Sequence, residues 1–177
     1  AATAIVQSSA ATIGIVMADL DGKITEANEA FFSMTGCRRE DLPIDWVAMT
    51  PPEWIDQDRQ MVLQIKDRGI VPSFEKEYLC ADGSRLPVLI AGVQLKEEGD
   101  KVLCFILDLR ERKKADKELK HSQATLASIF KAAPVGIGMV VDRVIVHVND
   151  QLTRITGYTP DDILGKSAMF LYPDKEE

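Results

Sequence analysis

Hydrophobic and polar positions change rhythm several times along this chain, and each change predicts an element. "IGIVMADL" (Ile13–Leu20) is a nearly continuous apolar run of strand length and predicts a buried strand. Asp21-Gly22 follows, a short hairpin signal, and "KITEA" then alternates as a second strand. Ahead of both, "IVQSSA" (Ile5–Ala10) predicts a short helix or an extended lead-in. Asn28 has the side chain of a helix N-cap, for a short helix over Glu29–Thr35, and Gly36 stands where a left-handed stop is wanted. "RREDL" predicts one more helical turn. "TPPEW" predicts a helix start, with Thr50 as N-cap, Pro51 at the first position and Glu53 closing a capping box. Trp54, Asp58, Met61 and Ile65 then recur at 4-3-4 spacing, Met61, Val62 and Ile65 form an apolar stripe, and Gly69 ends the helix.

Alternation at period two returns after Gly69. "SFEKEYLC" sets Phe74, Tyr78 and Cys80 against Glu75 and Glu77. Asp82-Gly83 turns it into "RLPVLIAGVQL", and "EEGD" turns that into "KVLCFILDL". Two strands, short helices and three antiparallel strands predict an α+β unit.

After Asp108 the period changes to a heptad. Ala115, Leu119, Ser122, Leu126, Ile129 and Ala133 are spaced 4, 3, 4, 3, 4, with polar "RERKK", "DKE" and "KHSQ" between them. An apolar stripe on a linker predicts a partner helix, here a homodimer seam. Small residues at Ala115 and Ser122 make the seam weak and predict close approach of the helices rather than strong dimerisation. The competing reading is a single helix packed on its own domain. Pro134 ends the predicted helix.

One pattern is written twice. "ANEAFFSMTGCRREDLPI" (Ala27–Ile44) is echoed by "VNDQLTRITGYTPDDILG" (Val148–Gly165), sharing an Asn, a Thr-Gly seven and eight residues later, and an acidic-aliphatic pair beyond. Upstream, Ile5–Met17 aligns on Ile129–Val141 without a gap, placing Ile13-Gly14 on Ile137-Gly138. The match resumes with Ile24 on Ile145, which drops three residues from the first hairpin. The first copy runs on to about Leu109, whereas the second has no counterpart beyond roughly Trp54. The expected organisation is a complete domain over 1–110, a heptad linker helix over 111–133, and the front half of a second domain over 134–177. We read the chain as a piece of a longer protein.

The words "ITEANEAFFSMTGCRREDL", "TPPEW", "FEKEYLCADGSRLPVLIAG" and "CFILDLRERKKADKEL" resemble the PAS domain family over residues 1 to about 114. "IFKAAPVGIGMVV" and "VHVNDQLTRITGYTPDDILG" resemble the front half of another member. The resemblance implies a five-stranded antiparallel sheet with short helices on one face enclosing a pocket. It implies a sensory module in a signal-transduction protein, one that continues into an output domain such as a histidine kinase, a cyclase or a phosphatase. The heptad helix resembles the signalling helix that joins such units. Two departures stand out. Cys37 follows Thr-Gly where the family often has Tyr, which the second copy keeps as Tyr158. Asp108-Leu109-Arg110 lacks the Thr that the family has at the end of the last strand, which counts against the relay role that motif implies. Asp108, Arg110 and Arg112 remain the candidate relay residues, with an Asp108–Arg112 ion pair tying the strand end to the helix as one reading and a solvated surface pair as the other.

Ligand chemistry narrows the pocket. Both histidines, His121 and His147, lie after the first unit, so a proximal-His haem is disfavoured there. "WVAMTPPEW" has no Cys where a LOV-type photosensor needs one, so a covalent flavin adduct is excluded. Non-covalent flavin stays open as a redox-sensor alternative, with Trp46 and Trp54 as candidates to flank a ring. The plainer role for both is core anchorage. Phe32, Trp46, Trp54, Met61, Ile65, Tyr78 and Ile90 are the candidate pocket wall. Against it stands a filled core with no ligand and a role as dimerisation spacer.

Composition adds exclusions. At 177 residues, 46% hydrophobic and 28% charged, the chain has material for one ordinary core and more. Its net charge of −7 argues against nucleic acid and anionic membrane surfaces. No apolar run reaches membrane-spanning length and no signal peptide is present, so a cytoplasmic setting is expected. Cys37, Cys80 and Cys104 are odd in number with no CxxC spacing, which fits reduced thiols. No P-loop, GxSxG, HExxH or zinc spacing occurs. His121 and His147 read as surface residues, and Asp161-Asp162 as first-turn charges on a helix. Neither an enzyme nor a metal site is expected in this segment.

Overall fold

The computed structural model describes residues 12–96 and 101–171. The expected lead-in over Ile5–Ala10 and the "EEGD" turn lie outside them. The chain forms two compact units, residues 1–114 and 115–177.

In the first unit, strands β1 (Ile13–Ala18) and β2 (Lys23–Ala27) form a hairpin, and α1 (Glu29–Thr35) follows. Then come a two-residue strand β3 (Ile44–Asp45), helix α2 (Ile55–Arg68), and the long strands β4 (Ile70–Leu79), β5 (Arg85–Leu95) and β6 (Lys101–Asp108). They make one sheet in the order β3-β2-β1-β6-β5-β4, antiparallel throughout. The expected five strands are all present. β3 adds a sixth at the β2 edge, too short to have shown any alternation.

The hairpin is not the two-residue kind that Asp21-Gly22 suggests. Four residues separate the strands, and the Asp19 carboxylate accepts from the N–H groups of Asp21 and Lys23. Gly22 supplies the positive φ of +104° that the loop needs. Asn28 caps α1 as expected, accepting from Phe31 N–H. Its amide also accepts from Ile15 N–H at 2.9 Å and donates to the Ile13 carbonyl at 2.9 Å, which pins α1 onto β1. The core forms where α1 and the following segment cover one sheet face, around Val16, Ile24, Phe31, Leu86, Val88 and Ile106, all at most 2% exposed. Strand β5 shows the period-two rule directly: Leu86, Val88, Ile90 and Gly92 are buried, while the residues between them are not.

The helix start at "TPPEW" needs correction. Thr50 does not cap it and no capping box forms. A single 3-10 turn spans Pro52–Trp54 and α2 begins at Ile55. Thr50 is drawn inward to a buried charge instead, and Glu53 pairs outward with Arg85. Gly69 ends α2 in the left-handed conformation, as expected.

Helix α3 (Arg110–Ala132) covers the expected linker, with Ala133 one residue past its end. In the second unit, β7 (Gly138–Val141) and β8 (Val144–Val148) pair as a two-stranded ribbon, followed by α4 (Asp150–Thr156) and the short α5 (Pro160–Ile163). Asn149 repeats the bonds of Asn28: it accepts from Leu152 and Ile137 N–H and donates to the Val135 carbonyl. These bonds equate Ile137 with Ile15, not with Ile13, so the upstream register of the repeat is shifted by two residues. The hairpin loses one residue rather than three. Asp142 and Arg143 close it, both at positive φ, in a tight two-residue turn. Thr159 and Asp162 form a capping box on α5, the role expected of first-turn acids.

Candidate functional site

A cavity of about 90 Å³ lies between α2 and the sheet. Met61, Val62 and Ile65 line it from the helix, Val16 and Ile24 from the first hairpin, and Phe74, Ile90 and Val102 from the long strands. The apolar stripe read from the sequence therefore faces it. Trp46, Met61, Ile65, Tyr78 and Ile90 are brought together on its wall. Phe32 is not on it: the ring packs in the core beneath α1, edge-on to Phe31 and under the Arg39 guanidinium. Trp54 is not on it either. The 3-10 turn that replaces the expected helix start turns it away, so two tryptophans do not flank the cavity.

The cavity's polar end went unpredicted. Lys76 projects inward from β4 and Asp58 inward from α2, their side chains 2% and 7% exposed. The Lys76 ammonium donates to Asp58 Oδ2 and, at 2.9 Å, to Thr50 Oγ1. The Thr50 hydroxyl in turn donates to Asp58 Oδ2 at 2.9 Å. The ammonium also lies over the rings of Tyr78, 4.6 Å from its centroid, and Trp46, 5.7 Å. Removing both charges from water costs several kcal/mol per ion even after relaxation, so only close pairing with extra hydrogen bonds makes the arrangement tolerable. Burial lowers the Lys76 pKa from its ordinary value, and Asp58 opposes that shift. Burial raises the Tyr78 phenol well above its usual range and pushes the Cys104 thiol up to about 12. Cys104 is thus an inert neutral thiol on the cavity wall rather than a nucleophile.

Both signals were present in the sequence. Lys76 shares the parity of Phe74 and Tyr78 in the alternating strand. Asp58 stands in the 4-3-4 series that defines the inner face of α2. A charge at an inward position on each of two facing elements marks a buried pair.

The relay residues sit where β6 leads into α3. Asp108 does not pair with Arg112. Its carboxylate accepts from the Arg110 N–H at 2.8 Å and holds the Arg110 guanidinium through Nε at 2.8 Å and Nη2 at 2.6 Å. An Asp just ahead of a helix turns back onto the first N–H groups, which leaves the guanidinium two residues on nearer than the one four residues on. Leu109 is 2% exposed and its N–H donates to the Pro87 carbonyl. Lys113 of α3 pairs with Glu75 of β4 at 2.9 Å, beside Lys76 in the chain. The Lys113 bond and charge, with a lesser pull from the nearby Arg112, hold Glu75 below the usual carboxylate range. The seam residues Leu119, Leu126 and Ile129 are 59%, 64% and 60% exposed, and Ala115 and Ser122 are exposed too.

Among the described residues, no group of three or more His, Cys, Asp or Glu side chains could hold a metal ion. No helix among them is long and apolar enough to cross a membrane.

The family model for the PAS domain matches residues 12–111 and again residues 134–177. The chain belongs to the PAS domain family. The hybrid signal transduction protein dokA of Dictyostelium discoideum is 28% identical over 107 residues, covering 59% of this chain and 6% of that protein. The sensor histidine kinase TmoS of Ectopseudomonas mendocina is 32% identical over 139 residues, covering 75% of this chain and 14% of that one. This PAS chain therefore spans only a small part of the curated relatives it matches. A solved sensory box histidine kinase/response regulator from Burkholderia thailandensis shares the fold at a TM-score of 0.52 and 18% identity, over 68% of this chain and 94% of that chain. PAS membership and kinship to sensor histidine kinases support a general role as a sensor in signal transduction, and nothing in the family match is catalytic.

Proposed function

We propose that the first unit is the sensory input of a cytoplasmic signal-transduction protein, and that the state of its cavity is passed through α3 to an output domain of the same chain. The observation that carries this reading is the path leading out of the cavity. Val102 and Cys104 of β6 line it, and β6 runs into α3 with only the buried Leu109 between. Lys76 lines it on β4, and the adjacent Glu75 holds Lys113 of α3. A shift of either strand thus pulls on the start of the helix, with Asp108, Arg110 and Arg112 setting its first turn. A homodimer through Ala115, Leu119, Ser122, Leu126, Ile129 and Ala133 turns that pull into a change of helix rotation or stagger. The small cavity supports a small ligand over a flavin: it is far below the roughly 300 Å³ at which pockets for drug-sized ligands begin.

Light scattering at micromolar concentration tests the dimer on which the relay depends. The protein is expected to run as a dimer, and Leu126→Asp, which places a charge in the seam, is expected to run as a monomer with unchanged circular dichroism. A wild-type monomer would remove the relay.

A further inference from the structure

We propose that the cavity takes a compact uncharged molecule of about four non-hydrogen atoms, with an apolar body and one hydrogen-bond acceptor docked on the Lys76 ammonium. The inference rests on the ligand-sensing reading above and narrows it by size, charge and polarity. Size comes from the volume. A dry apolar cavity of about 150 Å³ accepts benzene, and this one is about 90 Å³. Charge comes from Lys76 and Asp58, which already neutralise each other behind almost no exposed surface, and from Asp19, the other charged residue on the wall, whose carboxylate is taken up by the loop N–H groups of Asp21 and Lys23. A charged guest would leave one unbalanced charge in a medium that solvates it poorly. Polarity comes from the ammonium. Its bonds to Asp58 and Thr50 use two of its three N–H donors, and its other neighbours are the Tyr78 and Trp46 rings, so a guest's acceptor competes only with ring faces for the third. The rest of the wall is mostly aliphatic and aromatic, so the guest's body is apolar.

An entrance is also built in. Leu20, Trp46, Asp58 and Val62 line the cavity and, on their other side, an outer groove of about 440 Å³. These four side chains are the partition a guest crosses, and Asp58 stands in it while holding the cation that greets the guest.

Acetamide, acetone and acetate have the same heavy-atom skeleton and differ in polarity and charge. Each is titrated into the whole protein while the methyl signals of Ile65, Ile90 and Val102 are followed by NMR. Acetamide and acetone are expected to give saturable shifts in the millimolar range, with acetate weaker by roughly tenfold or more. Acetamide is expected to lose most of its binding in the Lys76→Met/Asp58→Leu double variant. Acetate binding as well as acetamide would overturn the charge argument while leaving the sensory reading in place. Acetamide binding unchanged in the double variant would overturn the docking on Lys76. If none of the three saturates, the size and polarity assigned to the guest are overturned, while the sensory reading itself stands or falls on the exchange response of α3 to a change in the cavity.

Discussion

Lys76→Met is expected to destabilise the first unit by about 3–5 kcal/mol, because it leaves the Asp58 carboxylate buried with only the Thr50 hydroxyl to answer it. Asp58→Leu strands the ammonium and is expected to cost a similar amount. It is moderated by the ability of Lys76, whose pKa burial already lowers, to give up its proton. The double variant, Lys76→Met with Asp58→Leu, removes both desolvation penalties. It is expected to lie near wild type or above it, since apolar replacements of buried pairs are often neutral or stabilising. Urea unfolding of the four proteins gives the coupling directly. Single losses that simply add in the double variant would mean the two charges do not depend on each other, contrary to the geometry.

The second large effect is at the helix cap. Asn28→Ala removes an N-cap worth about 1 kcal/mol. It also leaves the Ile15 N–H, on a residue only 7% exposed, without its acceptor, for about 1–3 kcal/mol more. The expected total is about 2–4 kcal/mol. Asn28→Asp keeps both acceptor bonds and is expected to lose less. Asn149→Ala is expected to destabilise the second unit in the same way, since Asn149 is 2% exposed and makes the same three bonds. Thermal melts check the size, and faster amide exchange at Ile15 checks the cause. A loss confined to the first turn of α1, with Ile15 still protected, would show that Asn28 is only a cap.

Much of this was legible in the residues. Alternation beyond Phe74 in β4 and over Leu86–Gly92 of β5, the Asn and Gly that bracket α1 and α4, and the heptad of α3 all come from local periods and caps, and local rules decide them. What was missed came from tertiary demands. Thr50 has every local mark of an N-cap, yet a buried charge needs its hydroxyl more. Trp54 has the right spacing for the inner face of α2 but belongs to the turn before it. Phe32 has the right character for a pocket wall but is carried on α1, where it joins the same core without lining the cavity. The register of the repeat slipped because identical dipeptides outweighed the hydrogen bonds of Asn149, which only the fold reveals. Lys76 and Asp58 were readable from parity and spacing. They were passed over because charged residues are mostly exposed and tend to be read as surface.

The central claim is that the state of the cavity reaches α3, and hydrogen–deuterium exchange across residues 110–132 tests it most directly. Val62→Trp fills the cavity from the partition it shares with the outer groove, at a position on α2 rather than on α3. The expected result is a changed exchange rate in the first turns of α3 and at Leu109, with β1 and β5 protected as in wild type. An altered cavity with exchange in 110–132 identical to wild type would contradict the claim.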